Sequence, residues 1–218
     1  TGGNVVGTLP MDVPHTDETR VQNEPDLIEE FKGLEYYIST KMDGSSHSIS
    51  LDADGFHVTG HNYEYKNDGS NSFYNLVNER GYEERIRNFV TTNNINMLTI
   101  QGEFCAPGIQ QNRLKLKKPE WYVFTIRENG KRVGLNRMTA ICKVLDLNMV
   151  PIEEVGIDLP SKYPTIESLL ERADGNYPNA GKKEGIVIRP TEPIYSKLIN
   201  TDLSMKVINN KYLLKNGD

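Results

Sequence analysis

Cysteine is nearly absent from this chain: of 218 residues only Cys105 and Cys142 carry a thiol. Two thiols cannot build a disulfide framework, and neither has the paired spacing that a zinc site uses. Reduced cysteines in apolar surroundings, and an intracellular or cytoplasmic protein, are therefore expected. Long apolar runs are missing too. None approaches the roughly 20 residues needed to cross a bilayer, so no membrane partner is expected. The start, Thr1-Gly2-Gly3-Asn4, has no charged stretch ahead of an apolar one, so nothing there reads as a secretory leader. It also lacks an initiator Met, and a chain excised from something longer is expected. An excess of positive charge is absent as well. The formal net charge is −5, whereas a free-standing nucleic-acid-binding module is usually basic. The cations that are present cluster at Arg113-Leu114-Lys115-Leu116-Lys117-Lys118 and at Lys182-Lys183, where a solvated face is the plain reading and a phosphate site the sharper one.

What remains is a globular composition, 37% hydrophobic and 25% charged, long enough for a proper core. There are no internal repeats. Residues 1–26 hold Pro, Asp and Thr without periodicity and read as an extended approach segment, with a short helix over 26–32. Strands are expected at 35–41, 46–52 and 56–61, the last two joined by the turn Asp52-Ala53-Asp54-Gly55. The spacing over 71–94 is helical, interrupted at Gly81. Residues 97–105 and 121–127 read as buried strands, the second followed by the turn Glu128-Asn129-Gly130-Lys131. Asn136 is expected to cap a helix reaching Leu147, and Thr165 to open another. Residues 184–189 and 203–208 are the last strands. The class is α+β, mostly antiparallel, with helices inserted between strands.

Candidate chemistry starts at Lys41-Met42-Asp43-Gly44, where the run Glu35 to Thr40 ends. A lysine at a strand end, partly desolvated in a cleft, can lose its proton and attack an electrophile. A solvated lysine before a turn is the ordinary alternative. Four later segments carry similar pairs of readings. Glu103 ends an apolar strand, Phe124 lies in an aromatic one, Glu184 opens Glu184-Gly185-Ile186-Val187-Ile188-Arg189, and Lys206 sits within Ser204-Met205-Lys206-Val207-Ile208. Taken singly, each is explained by solvation, core packing or a snorkelling lysine.

Their order along the chain resembles the motif series of the covalent nucleotidyltransferases, the superfamily of DNA ligases, RNA ligases and mRNA capping enzymes. Three longer stretches, Pro14 to Asn23, Gly102 to Leu114 and Ser204 to Leu213, look most like ATP-dependent RNA ligases of the branch with an N-terminal OB domain. The resemblance implies a ligase-type fold of two antiparallel sheets flanked by helices, with ATP in the cleft between them. Residues 1–218 would then be the adenylyltransferase domain alone. It implies a lysyl-AMP intermediate on Lys41, transfer of AMP to an RNA 5′-phosphate, and attack by a 3′-hydroxyl. Lys206 and Mg2+ or Mn2+ would stabilise charge at the α-phosphate, the metal being held by Asp43, Glu103 and Glu184 mainly through water. Arg20, Gln22, Thr40, Gly44 and Phe124 would line the nucleotide, Phe124 by stacking; a core phenylalanine and a loop contact for Arg20 and Gln22 stay open. Burial and neighbouring cations are expected to lower the Lys41 pKa. His61, Asn62, Arg189 and Lys211 are candidates for substrate phosphate. An RNA or RNA/DNA nicked duplex is the implied partner, and a monomer is expected.

Three positions depart from the family pattern. Gly60-His61-Asn62 stands where relatives carry Ser-Arg-Asn, Ser204 replaces the first lysine of a KxK, and Ser46 replaces a polar amide. Lys211 is the candidate to substitute for the lysine missing at Ser204. Two other functional classes compete: a GTP-dependent mRNA capping guanylyltransferase, and a non-catalytic nucleotide- or RNA-end-binding module.

Overall fold

The structure, a computed structural model, describes residues 5–178 and 180–216. Two antiparallel sheets dominate it. Their strands in chain order are β1 (Val5–Thr8), β2 (Glu35–Lys41), β3 (Ser45–Asp52), β4 (Gly55–Thr59), β5 (Tyr63–Tyr65), β6 (Leu98–Cys105), β7 (Glu120–Glu128), β8 (Lys131–Arg132), β9 (Asn148–Met149), β10 (Ile152–Ile157), β11 (Gly185–Pro190), β12 (Tyr195–Ser196), β13 (Thr201–Asp202) and β14 (Met205–Ile208). The larger sheet runs β1-β5-β4-β3-β6-β7-β8, with β9 pairing parallel to β7. The smaller runs β10-β2-β11-β14, and β12 pairs only with β13. The helices are α1 (Leu27–Glu30), α2 (Ser72–Glu79), α3 (Tyr82–Thr92), α4 (Leu135–Leu145), α5 (Leu159–Lys162), α6 (Ile166–Ala173) and α7 (Asn210–Asn216). None of them is long and apolar enough to cross a membrane.

Side-chain alternation along the strands creates three layers. In β3, His47, Ile49 and Leu51 belong to or touch the aromatic core built with Phe73, Phe104 and Trp121, while Ser46 and Ser48 face the other way. In β6, Leu98, Ile100 and Phe104 enter the same core, and Gln101 and Glu103 face away from it. Helices α2, α3 and α4 cover that core. The smaller sheet repeats the pattern: Tyr36, Ile38, Ile186, Ile188, Met205 and Val207 pack beneath α1, α5 and α6. Ser39, Lys41, Val187, Arg189 and Lys206 therefore face the larger sheet, and the cleft lies between the polar faces of the two sheets.

Several local readings hold. The turn after β7 has Asn129 at φ 52° and Gly130 at φ 82°, the pair of positive φ angles of a type I′ hairpin. Thr165 and Ser168 form a capping box at α6, and Asn71 caps α2 through the Tyr74 amide. Other readings are corrected. The residue capping α4 is Gly134, and Asn136 lies inside the helix, which stops at Leu145. The approach segment contains β1, which pairs with β5, and a 3-10 turn at Val21–Asn23. Strand β10 at the sheet edge, with an intermediate and exposed burial pattern, lacks the apolar run that marks a strand.

Candidate active site

A cleft of about 220 Å³ is lined by Thr16 to Glu18 of the approach segment, by Ser39 to Met42, Val187, Arg189 and Lys206 of the smaller sheet, and by Ser46, Glu103 and Phe124 of the larger. Register brings the smaller-sheet residues together, because Val187 lies opposite both Ser39 and Lys206, and Gly185 opposite Lys41. A side chain at Gly185 would bring its Cβ within 2.1 Å of the Val207 carbonyl oxygen. Only glycine lets the three strands converge there. Gly44 is constrained in the same way, its added Cβ falling 2.3 Å from the Phe104 carbonyl oxygen.

The Lys41 ammonium lies 3.3 Å from Glu184 Oε1, each side chain about one-fifth exposed (21% and 20%). Tyr177 ties this corner together. Its hydroxyl donates to the Lys41 carbonyl at 2.7 Å and accepts from the Glu184 backbone N–H at 3.1 Å. No sequence pattern marks Tyr177, which comes from a loop between α6 and β11. Glu103 reaches the cleft from β6, opposite Ser46. Burial pushes its carboxyl up to about 7; Lys41 pulls it down, and the charges of Glu184 and Asp43 push it further up. Glu184 is raised by burial as well, against the pull of Lys41.

The expected fall in the Lys41 pKa is not what the structure gives. Burial lowers it, but Glu184 and Glu103 outweigh burial and hold the ammonium above its ordinary value. It is Lys206 whose pKa falls, through burial and then the charges of Lys41 and Arg20. Arg20 is held beside it by a parallel backbone bridge, with the Lys206 N–H donating to the Thr19 carbonyl at 2.8 Å.

Phe124 faces the cleft because of a bulge. Gln101 pairs with Thr125 and Gly102 with Val123, so Phe124 is the unpaired extra residue of β7. Phe124 and Thr125 consequently both lie on the cleft side. Thr40 lies at the cleft wall and donates to Glu153 at 2.8 Å.

Other candidates sit elsewhere. The Asp43 carboxylate is buried and paired with Arg113, whose guanidinium also donates to the Tyr212 hydroxyl at 3.0 Å. Arg189 is not an open phosphate ligand. Its side chain is 5% exposed and is held by Glu18, the Phe124 carbonyl, Thr125 Oγ1 and Ser204 Oγ. Ser204 completes that cluster by donating to Glu18, which explains a small hydroxyl in place of a lysine. Lys211 does not replace that lysine: it lies on α7, 62% exposed, and pairs with Asp174 at 2.8 Å. His61 stands at the cleft rim, 3.9 Å from Asp17. Asn62 is exposed and borders a separate surface pocket, and Gln22 lies outside the residues lining the cleft.

Among the described residues no group of three His, Cys, Asp or Glu side chains is arranged to ligate one metal directly. The crowding of Glu103 and Glu184, both held above their ordinary values, fits a divalent cation that keeps its water shell.

The RNA ligase family model matches residues 34–208. Among solved structures, a glutamate-to-alanine variant of Naegleria gruberi RNA ligase with ATP and Mn superposes with a TM-score of 0.85 at 28% identity, covering 99% of this chain and 62% of that one. The same ligase with PPi gives 0.82 at 28% identity, over 97% and 60%. A lysine-to-methionine variant with AMP and Mn gives 0.84 at 28%, over 99% and 61%. The chain thus spans about three-fifths of the length of this relative. No match was found among curated proteins.

Proposed function

From a chain that belongs to the RNA ligase family, we propose an ATP-dependent RNA-joining activity that begins with transfer of AMP to Lys41. The observation that carries this is the meeting of Lys41, Glu184, Glu103 and Lys206, drawn from four strands or strand ends, in one cleft. The Naegleria relative was captured with ATP, with AMP and with PPi, which are the nucleotide reactant, the transferred group and the leaving group of such a step.

Lys41 Nζ bonds to the α-phosphorus as the bond to pyrophosphate breaks, leaving a phosphoramidate. Its proton must leave first, to Glu184 at 3.3 Å, although Glu184 and Glu103 stabilise the ammonium in the free protein. Lys206, itself lowered, supplies positive charge to the phosphoryl oxygens as they gain charge. Tyr177 fixes the backbone on both sides of the Lys41–Glu184 pair. Phe124, turned inward by the bulge, offers a flat face to the base, worth about 1 kcal/mol. Arg20 and Thr40 complete the nucleotide surround, and Gly44 lets the chain pass under Phe104. Glu103 and Glu184 are the residues that would hold hydrated Mg2+ or Mn2+, which would neutralise phosphate charge when bound. The second and third steps move AMP to an RNA 5′-phosphate and expel it by a 3′-hydroxyl. The reading further holds that the chain acts as a monomer on a nicked RNA or RNA/DNA duplex, with an N-terminal OB domain in the full protein.

The test is incubation with α-labelled ATP or GTP and divalent metal, followed by a denaturing gel. Label from ATP should stay on the protein, vanish with a chelator, and be lost in Lys41→Ala. Label from GTP alone would assign a capping-type reaction, and equal labelling of Lys41→Ala would refute the nucleophile.

A further inference from the structure

The connection between β6 and β7, residues 106–119, holds three exposed lysines that the nucleotide site does not use: Lys115, Lys117 and Lys118. The loop is fastened directly onto the Met42 to Gly44 stretch. Leu114 and Leu116 pack against the small cluster of Met42, Cys105, Val150 and Tyr177. Arg113 pairs with Asp43, Gln110 Nε2 donates to the Gly44 carbonyl at 3.4 Å, and Asn112 closes the loop by bonding the Leu116 backbone in both directions (3.0 and 3.1 Å). With Leu114 and Leu116 turned inward, Lys115 and Lys117 turn outward, and Lys118 extends the same edge.

Other lysines on the surface are either paired, as Lys162 is with Glu154 and Lys182 and Lys211 are with Asp174, or stand singly among the described residues, as Lys131, Lys143 and Lys197 do. Lys115, Lys117 and Lys118 form no ion pair among the described residues. Three unpaired cations within four positions, on a chain of net charge −5, are a local inversion of sign. A polyanion approaching a chain of net negative charge is drawn to such a cationic rim.

We infer that Lys115, Lys117 and Lys118 bind the phosphodiester backbone of the RNA strand whose end enters the cleft. The inference rests on the RNA-joining reading for the identity of its ligand. Backbone contacts of this kind position a strand without reading its bases, which suits an enzyme that joins ends of unrelated sequence. None of the three lysines lines the nucleotide cleft, so their role is in holding the polynucleotide.

The test measures binding of a fluorescently labelled, 5′-phosphorylated nicked RNA duplex by wild type and K115Q/K117Q/K118Q over a salt series. A second triple variant, K131Q/K143Q/K197Q, removes equal charge from exposed lysines elsewhere. Losing three phosphate contacts should cut the slope of log K against log salt by about 2 to 3 and weaken binding at least tenfold at low salt. The second variant should keep most of the slope. An unchanged slope in the loop variant, or an equal fall in both, overturns the inference. Labelling by ATP is read in parallel: a wild type that binds RNA through this loop yet takes no label refutes the reading of the site and leaves the surface standing.

Discussion

Two clusters of buried charge share one cleft and are built in opposite ways. In the first, Glu18, Arg189, Ser204 and Thr125 form a clamp in which every charge meets hydrogen-bond partners. Burial alone raises the Glu18 carboxyl, but Arg189, Arg132 and the Ser204 hydroxyl overcome it and hold the group at about 2. In the second, Lys41 faces Glu184 and Glu103, with Asp43 behind. There the carboxylates crowd one ammonium, and Glu103 is driven up to about 7. The clamp is satisfied in the free protein. The corner is not, and its crowded carboxylates are what a cation would complement. The two clusters are thus separated by a few residues of chain: Glu184 directly precedes the strand that carries Arg189, five positions on.

The contrast breaks most severely at the clamp. Arg189→Ala should strand the Glu18 carboxylate and lower stability by about 3–5 kcal/mol, the cost of leaving a buried charge unpaired. Urea unfolding at neutral pH measures it, and a loss under about 1 kcal/mol would mean that water reaches Glu18. The sign of the clamp's pH dependence follows from its lowered pKa. The stabilisation is complete above the ordinary carboxylate value of 4.5 and is lost as pH falls toward 2.

The corner should respond with the opposite sign. Glu103 is raised, so the unfolded chain ionises first, and the carboxylate costs stability increasingly as pH climbs from 4.5 through about 7. Glu103→Gln removes that cost. It should stabilise the protein by about 1–3 kcal/mol at pH 8, with the gain vanishing below the unfolded pKa, while AMP transfer falls. Urea midpoints of both proteins across this range decide it; a variant less stable than wild type at pH 8 would show that Glu103 is not strained.

The smallest expected effect sharpens the comparison without changing any charge. Tyr177→Phe removes the hydroxyl that joins Lys41 and Glu184 through their backbones and should cost about 1 kcal/mol of stability. Labelling by ATP should slow roughly tenfold if misplacement costs about as much at the transition state, with KM for ATP little changed. Equal loss in KM and rate would place Tyr177 in nucleotide binding instead.

Much of this was legible in one dimension. The strand carrying Lys41 was visible because Tyr36, Ile38 and their neighbours form a β-branched and aromatic run, and the strand carrying Glu103 because Leu98, Ile100 and Phe104 alternate with polar residues. The motif order along 41–206 pointed to the site because residue types at strand ends are local properties of sequence. Less legible were the partners of each charge. Nothing local tells that Asp43 meets Arg113, 70 positions on, or that Arg189 meets Glu18, 171 positions back.

By itself, then, the sequence determined the strands that carry the site and the residue types that converge, because hydrophobic periodicity and turn chemistry act between near neighbours. The tertiary structure alone decided which charges are satisfied. It turned Phe124 and Thr125 to the same side through a bulge, committed Arg189 and Ser204 to Glu18, sent Lys211 to Asp174, and raised the Lys41 pKa where burial and neighbouring cations suggested a fall. Electrostatic energy depends on distance and desolvation among groups far apart in the chain, and those quantities exist only once the two sheets have closed on each other.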